Sequence, residues 1–216
     1  MKNTYIVLLV VFSIIGCSNL TDIDGNGYET IAIGNQVWMA ENLKVTHYRD
    51  GTAITNVTAA WSNLSTGAYC YYDNNSSNGD TYGALYNWYA VNNSRNIAPE
   101  GWHVPTDAEW RELETYLSNN GHNATEGAAL KSAVGWESHL NTEIGTDDYG
   151  FTALPGGCRN YPNGSYSSMG YTGYFWSATE ANSTNAWYRI LYSNNSDVGR
   201  TNYGKGYGFA VRLLRD

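Results

Sequence analysis

One stretch of this chain carries a complete set of helix signals, and turn formers cut most of the rest into short pieces. The stretch is PTDAEWRELETYLSNNG, residues 105–121. Thr106 and Glu109 stand at capping-box spacing, so each side chain can satisfy the other's free backbone amide. Asp107 falls in the first turn, where the helix dipole favours an anion. Trp110, Leu113 and Leu117 recur at helical spacing and predict one buried stripe. Gly121 is placed to end the helix with a left-handed residue. One well-signalled helix among many short apolar runs predicts a loop-rich α+β domain.

The apolar runs read as strands. YETIAI (28–33) and QVWMA (36–40) flank Gly34 and Asn35, the spacing of a hairpin with a type II′ turn. An earlier turn falls at Gly25, Asn26 and Gly27. The stretch DIDGNG (22–27) also matches the first half of a calcium loop, with Asp22, Asp24, Asn26 and Gly27 at positions 1, 3, 5 and 6. Position 12 needs a bidentate Glu and is Ile33, and position 8 is Glu29 where an apolar residue belongs. No amphipathic helix flanks the loop, so the hairpin reading is preferred. Residues 41–80 are loop-rich. YGALYNWYAVNN (82–93) predicts a short helix with Leu85, Trp88 and Tyr89 on one face, and residues 126–133 a second. From Tyr149 onward the chain reads as strands and turns. In the last of them Phe209 and Val211 face one way, Ala210 and Arg212 the other.

The formal charge is −8 with only 12 Lys and Arg and no basic stripe, which argues against a nucleic-acid partner. The 19 Tyr and 8 Trp mark a folded chain. Together with abundant Asn, Ser and Gly they form the palette of binding loops, rigid aromatic area beside adaptable hydrogen bonds. Tyr166, Tyr171, Tyr174 and Trp176 crowd a Gly/Ser-rich stretch and are candidates for stacking on sugar rings. Core packing is the other reading of each.

Residues 1–17, MKNTYIVLLVVFSIIGC, have a positive start and an apolar run too short to span a bilayer, which predicts a secretory signal. Its end, Ile14-Ile15-Gly16-Cys17, resembles the bacterial lipobox. The expected organisation is a signal peptide at 1–16, a short tether at 17–21 lipidated on Cys17, and one domain at 22–216. The membrane is then a partner through lipid on Cys17, with the domain within about 25 Å of it. The expected location is the cell envelope, at the outer membrane, on a side the sequence does not specify.

The chemistry-bearing residues are sparse. His47, His103, His122 and His139 are widely spaced, and no HExxH, CxxC, GxSxG or P-loop pattern occurs, so neither a transition metal nor a cofactor is expected. No acid/base pair stands out, and no catalytic residue is assigned. Asp147 and Asp148 either cap a turn or hold calcium. Cys70 and Cys158 belong to an oxidising compartment in which they can pair, but spacing does not show whether they do.

The order of signals resembles a known family. IGNQVWMAENL, GAYCYYDNN, YGALYNWYAV, APEGWHVPTDAEWRELETYL, ALPGGCRN, FWSATE, AWYRILY and GFAVRLLRD together resemble the Fibrobacter succinogenes major paralogous domain, from about Asp22 to Asp216. The resemblance implies a domain of secreted proteins and lipoproteins of Bacteroidota and Fibrobacter-type bacteria. More distantly, WHVPTDAEW and GFAVRLLR are similar to elements of the formylglycine-generating sulfatase-modifying group. That similarity implies a C-type-lectin-like single domain with short antiparallel strands, one to three helices and long irregular loops. Its termini would pair. The reactive cysteine pair of that group is not matched, since Cys158 stands alone in its region, and the EPN, QPD and WND calcium motifs of lectins are absent. The analogy therefore bears on architecture, not activity. Similar lectin-like domains are diversified by retroelements on a late ligand-binding surface. Here the matching stretch is residues 188–209, with Asn194, Asn195, Arg200, Asn202 and Tyr203 expected on display. The function implied is a non-catalytic surface module binding a glycan or protein. The alternatives are a structural envelope lipoprotein and a formylglycine-enzyme-like metalloenzyme.

Overall fold

The computed structural model describes residues 20–137 and 145–216. The leader and Cys17 lie outside the described residues. The first described residue, Leu20, is buried. There β1 (Leu20–Thr21) pairs with β2 (Gly27–Tyr28) across the 22–27 turn. The Asp22 carboxylate is spent on that turn. It accepts from the Asp24 and Asn26 amides at 3.0 and 2.9 Å and from Tyr28 Oη at 2.6 Å. This is the geometry of a capped turn rather than of an open cation loop.

Next comes the expected hairpin, β3 (Thr30–Ile33) and β4 (Gln36–Met39), paired antiparallel with Ile33 opposite Gln36. Within its turn positive φ falls on Gly34, at +62°, as a type II′ turn requires. After a loop come β5 (Thr55–Asn56), β6 (Ala68–Cys70), α1 (Ser76–Tyr82) and β7 (Leu85–Tyr86). Strands β5, β6 and β7 make a small sheet. The helix expected over 82–93 is therefore a correction. Tyr82 ends α1, Leu85 lies in strand β7, and the chain turns helical again only for the single turn α2 (Trp88–Val91). Asn87 divides the two: its Oδ1 accepts from Ala68 N and from Ala90 N, closing the sheet on one side and capping the helix on the other.

Strand β8 (Trp102–His103) leads into α3 (Asp107–Leu117), which starts at the expected capping box. Thr106 Oγ1 accepts from Glu109 N, and Glu109 Oε2 accepts from Thr106 N at 2.7 Å. Trp110, Leu113 and Leu117 are all buried. A wider turn, Ser118–His122, follows, with Gly121 at φ +99°. The short helix α4 (Glu126–Leu130) stops before Ala133, because Lys131 leaves it to bridge Ala153.

The later chain supplies β9 (Gly156–Arg159), β10 (Tyr166–Met169), β11 (Thr172–Glu180), β12 (Asn185–Tyr192) and β13 (Gly199–Gly204). They form a five-stranded sheet ordered β10-β9-β11-β12-β13. The last strand, β14 (Leu214–Arg215), inserts between β4 and β8, joining the end of the chain to the N-terminal hairpin. The architecture is a single α+β domain dominated by short antiparallel strands.

The five-stranded sheet separates two apolar clusters. Phe175 and Leu191 point toward α3 and pack with Trp38, Trp110 and Phe151. Trp176, Tyr188 and Ile190 point the other way and pack with Tyr86 and Phe209. Phe209 and Val211 join the second cluster and Ala210 the first, as the alternation predicts. Buried cations tie the irregular loops to this core. Arg212 donates to Asn42 Oδ1, to Met39 O, to Phe151 O at 2.6 Å and to Thr152 O, and lies 4.6 Å from the Phe151 ring centre. Arg159 does the same for the carbonyls of Val57, Thr58, Ala59 and Gly164. Loop carbonyls taken out of water need such partners. Among the described residues no helix is long and apolar enough to cross a membrane.

Candidate functional site

The sheet face turned away from α3 carries a row of tyrosines. Tyr188 on β12 lies opposite Trp176 on β11 and Thr201 on β13, and Tyr203 lies opposite Ala186. Cross-strand partners share a face, so Tyr174, Tyr188 and Tyr203 line up across three strands. Their ring centres are 6.1 Å apart from Tyr174 to Tyr188 and 6.4 Å from Tyr188 to Tyr203. The turn after β13 extends the row to Tyr207, 4.3 Å from Tyr203, and Tyr161 stands 6.4 Å beyond. Gly206 permits this last approach, since an added Cβ would stand 1.9 Å from the Tyr161 ring.

Phe209 packs against the row from the neighbouring segment 209–211, buried, with its ring centre 4.9 Å from Tyr174, 4.8 Å from Tyr188 and 5.9 Å from Tyr207. Tyr203 is 46% exposed, Tyr161, Tyr174 and Tyr207 are half-buried, and Tyr188 is buried. Burial pushes the Tyr174 phenol up to about 12, helped by the neighbouring Cys158. Burial, then the hydrogen bond and charge of Tyr203, push Tyr207 up to about 12. Both phenols stay protonated at neutral pH and serve as hydrogen-bonding groups rather than bases. Aromatic area held in place by its packing, with phenolic hydroxyls beside it, suits ligand contact.

The residues singled out in the sequence do not form one surface. Tyr174 and Tyr203 lie on the tyrosine row. Trp176 is a correction: it is fully buried and donates Nε1 to Tyr86 O at 2.8 Å, so it belongs to the core. Tyr166 is engaged elsewhere, donating to Asn74 Oδ1 at 2.7 Å with its ring 5.1 Å from Tyr72. Tyr171 is 38% exposed and precedes β11, whose first residue, Thr172, pairs with exposed Tyr192. Asn194 and Asn195 are exposed between β12 and β13, where Lys131 Nζ donates to Asn195 O.

Arg200 and Asn202 point to the opposite face from Tyr203, because side chains alternate along a strand. Arg200 lies 3.6 Å from the Trp187 ring centre and donates to both Asp107 oxygens, while Asn202 Oδ1 accepts from Asn185 Nδ2. The expected displayed stretch over 188–209 placed adjacent Asn202 and Tyr203 together, although they lie on opposite faces. The residues expected on display did not include Tyr161, Tyr188 and Tyr207. For Tyr188 and Tyr207 the available signal was their position inside that stretch.

Among the described residues the cysteines are unpaired. Cys70 and Cys158 are both buried free thiols. They lie in different apolar clusters, Cys70 with Trp61 and Leu85, and Cys158 with Trp176 and Phe209. Burial pushes both thiols up, and Cys158 Sγ sits 3.3 Å from Ser167 Oγ. Asp147 caps a turn, accepting from Thr152 N at 2.7 Å and Thr152 Oγ1 at 2.9 Å. Asp148 accepts from Thr146 Oγ1. Among the described residues no group of three or more His, Cys, Asp and Glu could hold a metal ion.

The family model of the Fibrobacter succinogenes major domain matches residues 31–215. No curated protein and no solved structure matches the chain.

Proposed function

The chain belongs to the Fibrobacter succinogenes major domain family, and from that premise we propose that it is a non-catalytic binding module of the bacterial cell envelope. Its ligand is a glycan or a protein, and the tyrosine row is the contact surface. The observation that carries this reading is the support of Tyr174, Tyr188 and Tyr207 by buried Phe209, with Tyr203 standing exposed at their side. An aromatic surface held rigid before the ligand arrives loses little conformational entropy on binding.

In this reading the architecture is C-type-lectin-like, supported by β14 pairing with the N-terminal hairpin and by long irregular loops. The proposed anchor is lipid on Cys17, which rests on the lipobox alone. The test is a glycan array probed with the chain from Leu20 onward, with calcium and with chelator, followed by pull-down from cell envelopes. A defined ligand whose capture falls in Tyr203→Ala supports the proposal. Equal capture by the variant rejects the tyrosine row. Capture of no ligand by either route points instead to a structural envelope role.

A further inference from the structure

A concavity lined by none of the row's tyrosines lies elsewhere on the domain. It is a cleft of about 700 Å³ between the loop carrying Tyr48 and Thr52, the segment 65–67, and residues 88–95. Sites for small molecules span about 300–1,000 Å³. Most of its lining residues carry hydrogen-bonding side chains, including Ser65, Thr66 and Asn93, with Tyr89 as a half-buried aromatic wall.

Two features show that the cleft is built. First, Gly67 lets its walls close together at the base: an added Cβ there would stand 2.0 Å from Tyr48 Oη and 3.0 Å from Ala90 Cα. Second, buried Asn87 braces two of its walls together. Its Nδ2 donates to Thr66 O at 2.8 Å, while its Oδ1 accepts from Ala68 N and from Ala90 N. The polar groups are thus held in place without a ligand. The charge at the rim is balanced, since Arg95 Nε lies 3.4 Å from Asp50 Oδ2 and both side chains are about half exposed. An Arg95 guanidinium already paired with a carboxylate suits a neutral hydroxyl better than a free anion.

We infer that this cleft binds a neutral oligosaccharide, independently of the tyrosine row. Tyr89 supplies the apolar wall for a sugar ring, and the hydroxyl and amide side chains with Arg95 supply its hydrogen bonds.

The test uses the full chain in detergent with four probes: maltotetraose, cellotetraose, xylotetraose and mannotetraose. Calorimetry measures binding, and hydrogen exchange read by mass spectrometry locates it. The expected result is binding of at least one probe, with protection in peptides covering 48–55, 63–67 and 88–95. Tyr89→Ala then weakens binding about tenfold or more. Ser65→Trp, which fills the cleft from an exposed position, abolishes it, and Tyr203→Ala leaves it unchanged. If Tyr89→Ala fails to fold, Ser65→Trp and Arg95→Ala at exposed positions carry the test. The inference is overturned if none of the four probes binds. It is also overturned if protection appears over 199–207 and is lost in Tyr203→Ala, a result that would instead support the tyrosine row.

Discussion

The ring of Tyr174 lies 4.9 Å from that of Phe209 and only 15° from parallel. This one contact couples the candidate binding surface to the core, because Phe209 also packs on Trp176, Tyr188 and Tyr207. Removing Phe209 therefore affects stability and surface together. Phe209→Ala is expected to cost about 3–5 kcal/mol, measured by urea denaturation. It should also diminish the near-ultraviolet circular dichroism of the tyrosines under native conditions, since their support is gone.

Asp107 links α3 to the five-stranded sheet through Arg189 and Arg200. Burial raises its pKa, but the hydrogen bonds and charges of the two arginines outweigh it and hold the carboxyl below its usual range. A depressed folded-state pKa gives stability that is present above the unfolded value, 3.8 for Asp, and is lost as pH falls through the folded value. Glu114, the other partner of Arg189, has the opposite sign, since burial raises its pKa. Its contribution is largest at low pH and declines as pH rises through the folded pKa. Asp107→Asn is expected to destabilise the protein at pH 7 and to flatten the loss of stability below about pH 4. Thermal melts of both proteins from pH 7 to pH 2 check this, and parallel curves would refute it.

The capping box is the feature most fully specified in the sequence. Thr106→Ala removes the acceptor for Glu109 N and the partner of Glu109 Oε2. The expected cost is about 0.5–2 kcal/mol, measured by chemical denaturation, with the fold retained.

Cys70 and Cys158 are predicted to be two slow thiols rather than one disulfide. Both are buried and both have raised pKa, so little thiolate is present at neutral pH. A maleimide reagent is expected to leave both unlabelled in the folded protein and to label both after denaturation without reductant. Failure to label them in denaturant would show that they had paired.

Local signals made the N-terminal hairpin, the capped helix and the alternation of residues 209–211 readable from the chain alone. Each depends on neighbours a few positions apart. Residues 82–93 were misread because their helical spacing says nothing of Asn87, whose amide answers to Ala68, 19 residues away. The buried cations were hidden for the same reason: the carbonyls around Arg212 come from Met39, Phe151 and Thr152. The candidate surface was half legible. Tyr174 and Tyr203 were named, but Trp176, which shares Tyr174's face, lies beneath the surface and not on it. Burial along a face depends on what packs around each side chain, here Phe209 and Tyr188 against Trp176. Composition and spacing do not encode that.

The central claim is that ligand meets the tyrosine row, and neighbouring residues on β13 separate it from the alternatives most directly. Tyr203 and Asn202 are adjacent in sequence but point to opposite faces of the sheet. The measurement is the affinity of Tyr203→Ala and Asn202→Ala for the ligand captured by the wild-type chain, with thermal melts confirming both folds. The account predicts a loss of about tenfold or more for Tyr203→Ala and wild-type affinity for Asn202→Ala. Wild-type affinity in Tyr203→Ala, or an equal loss in both variants, would contradict it.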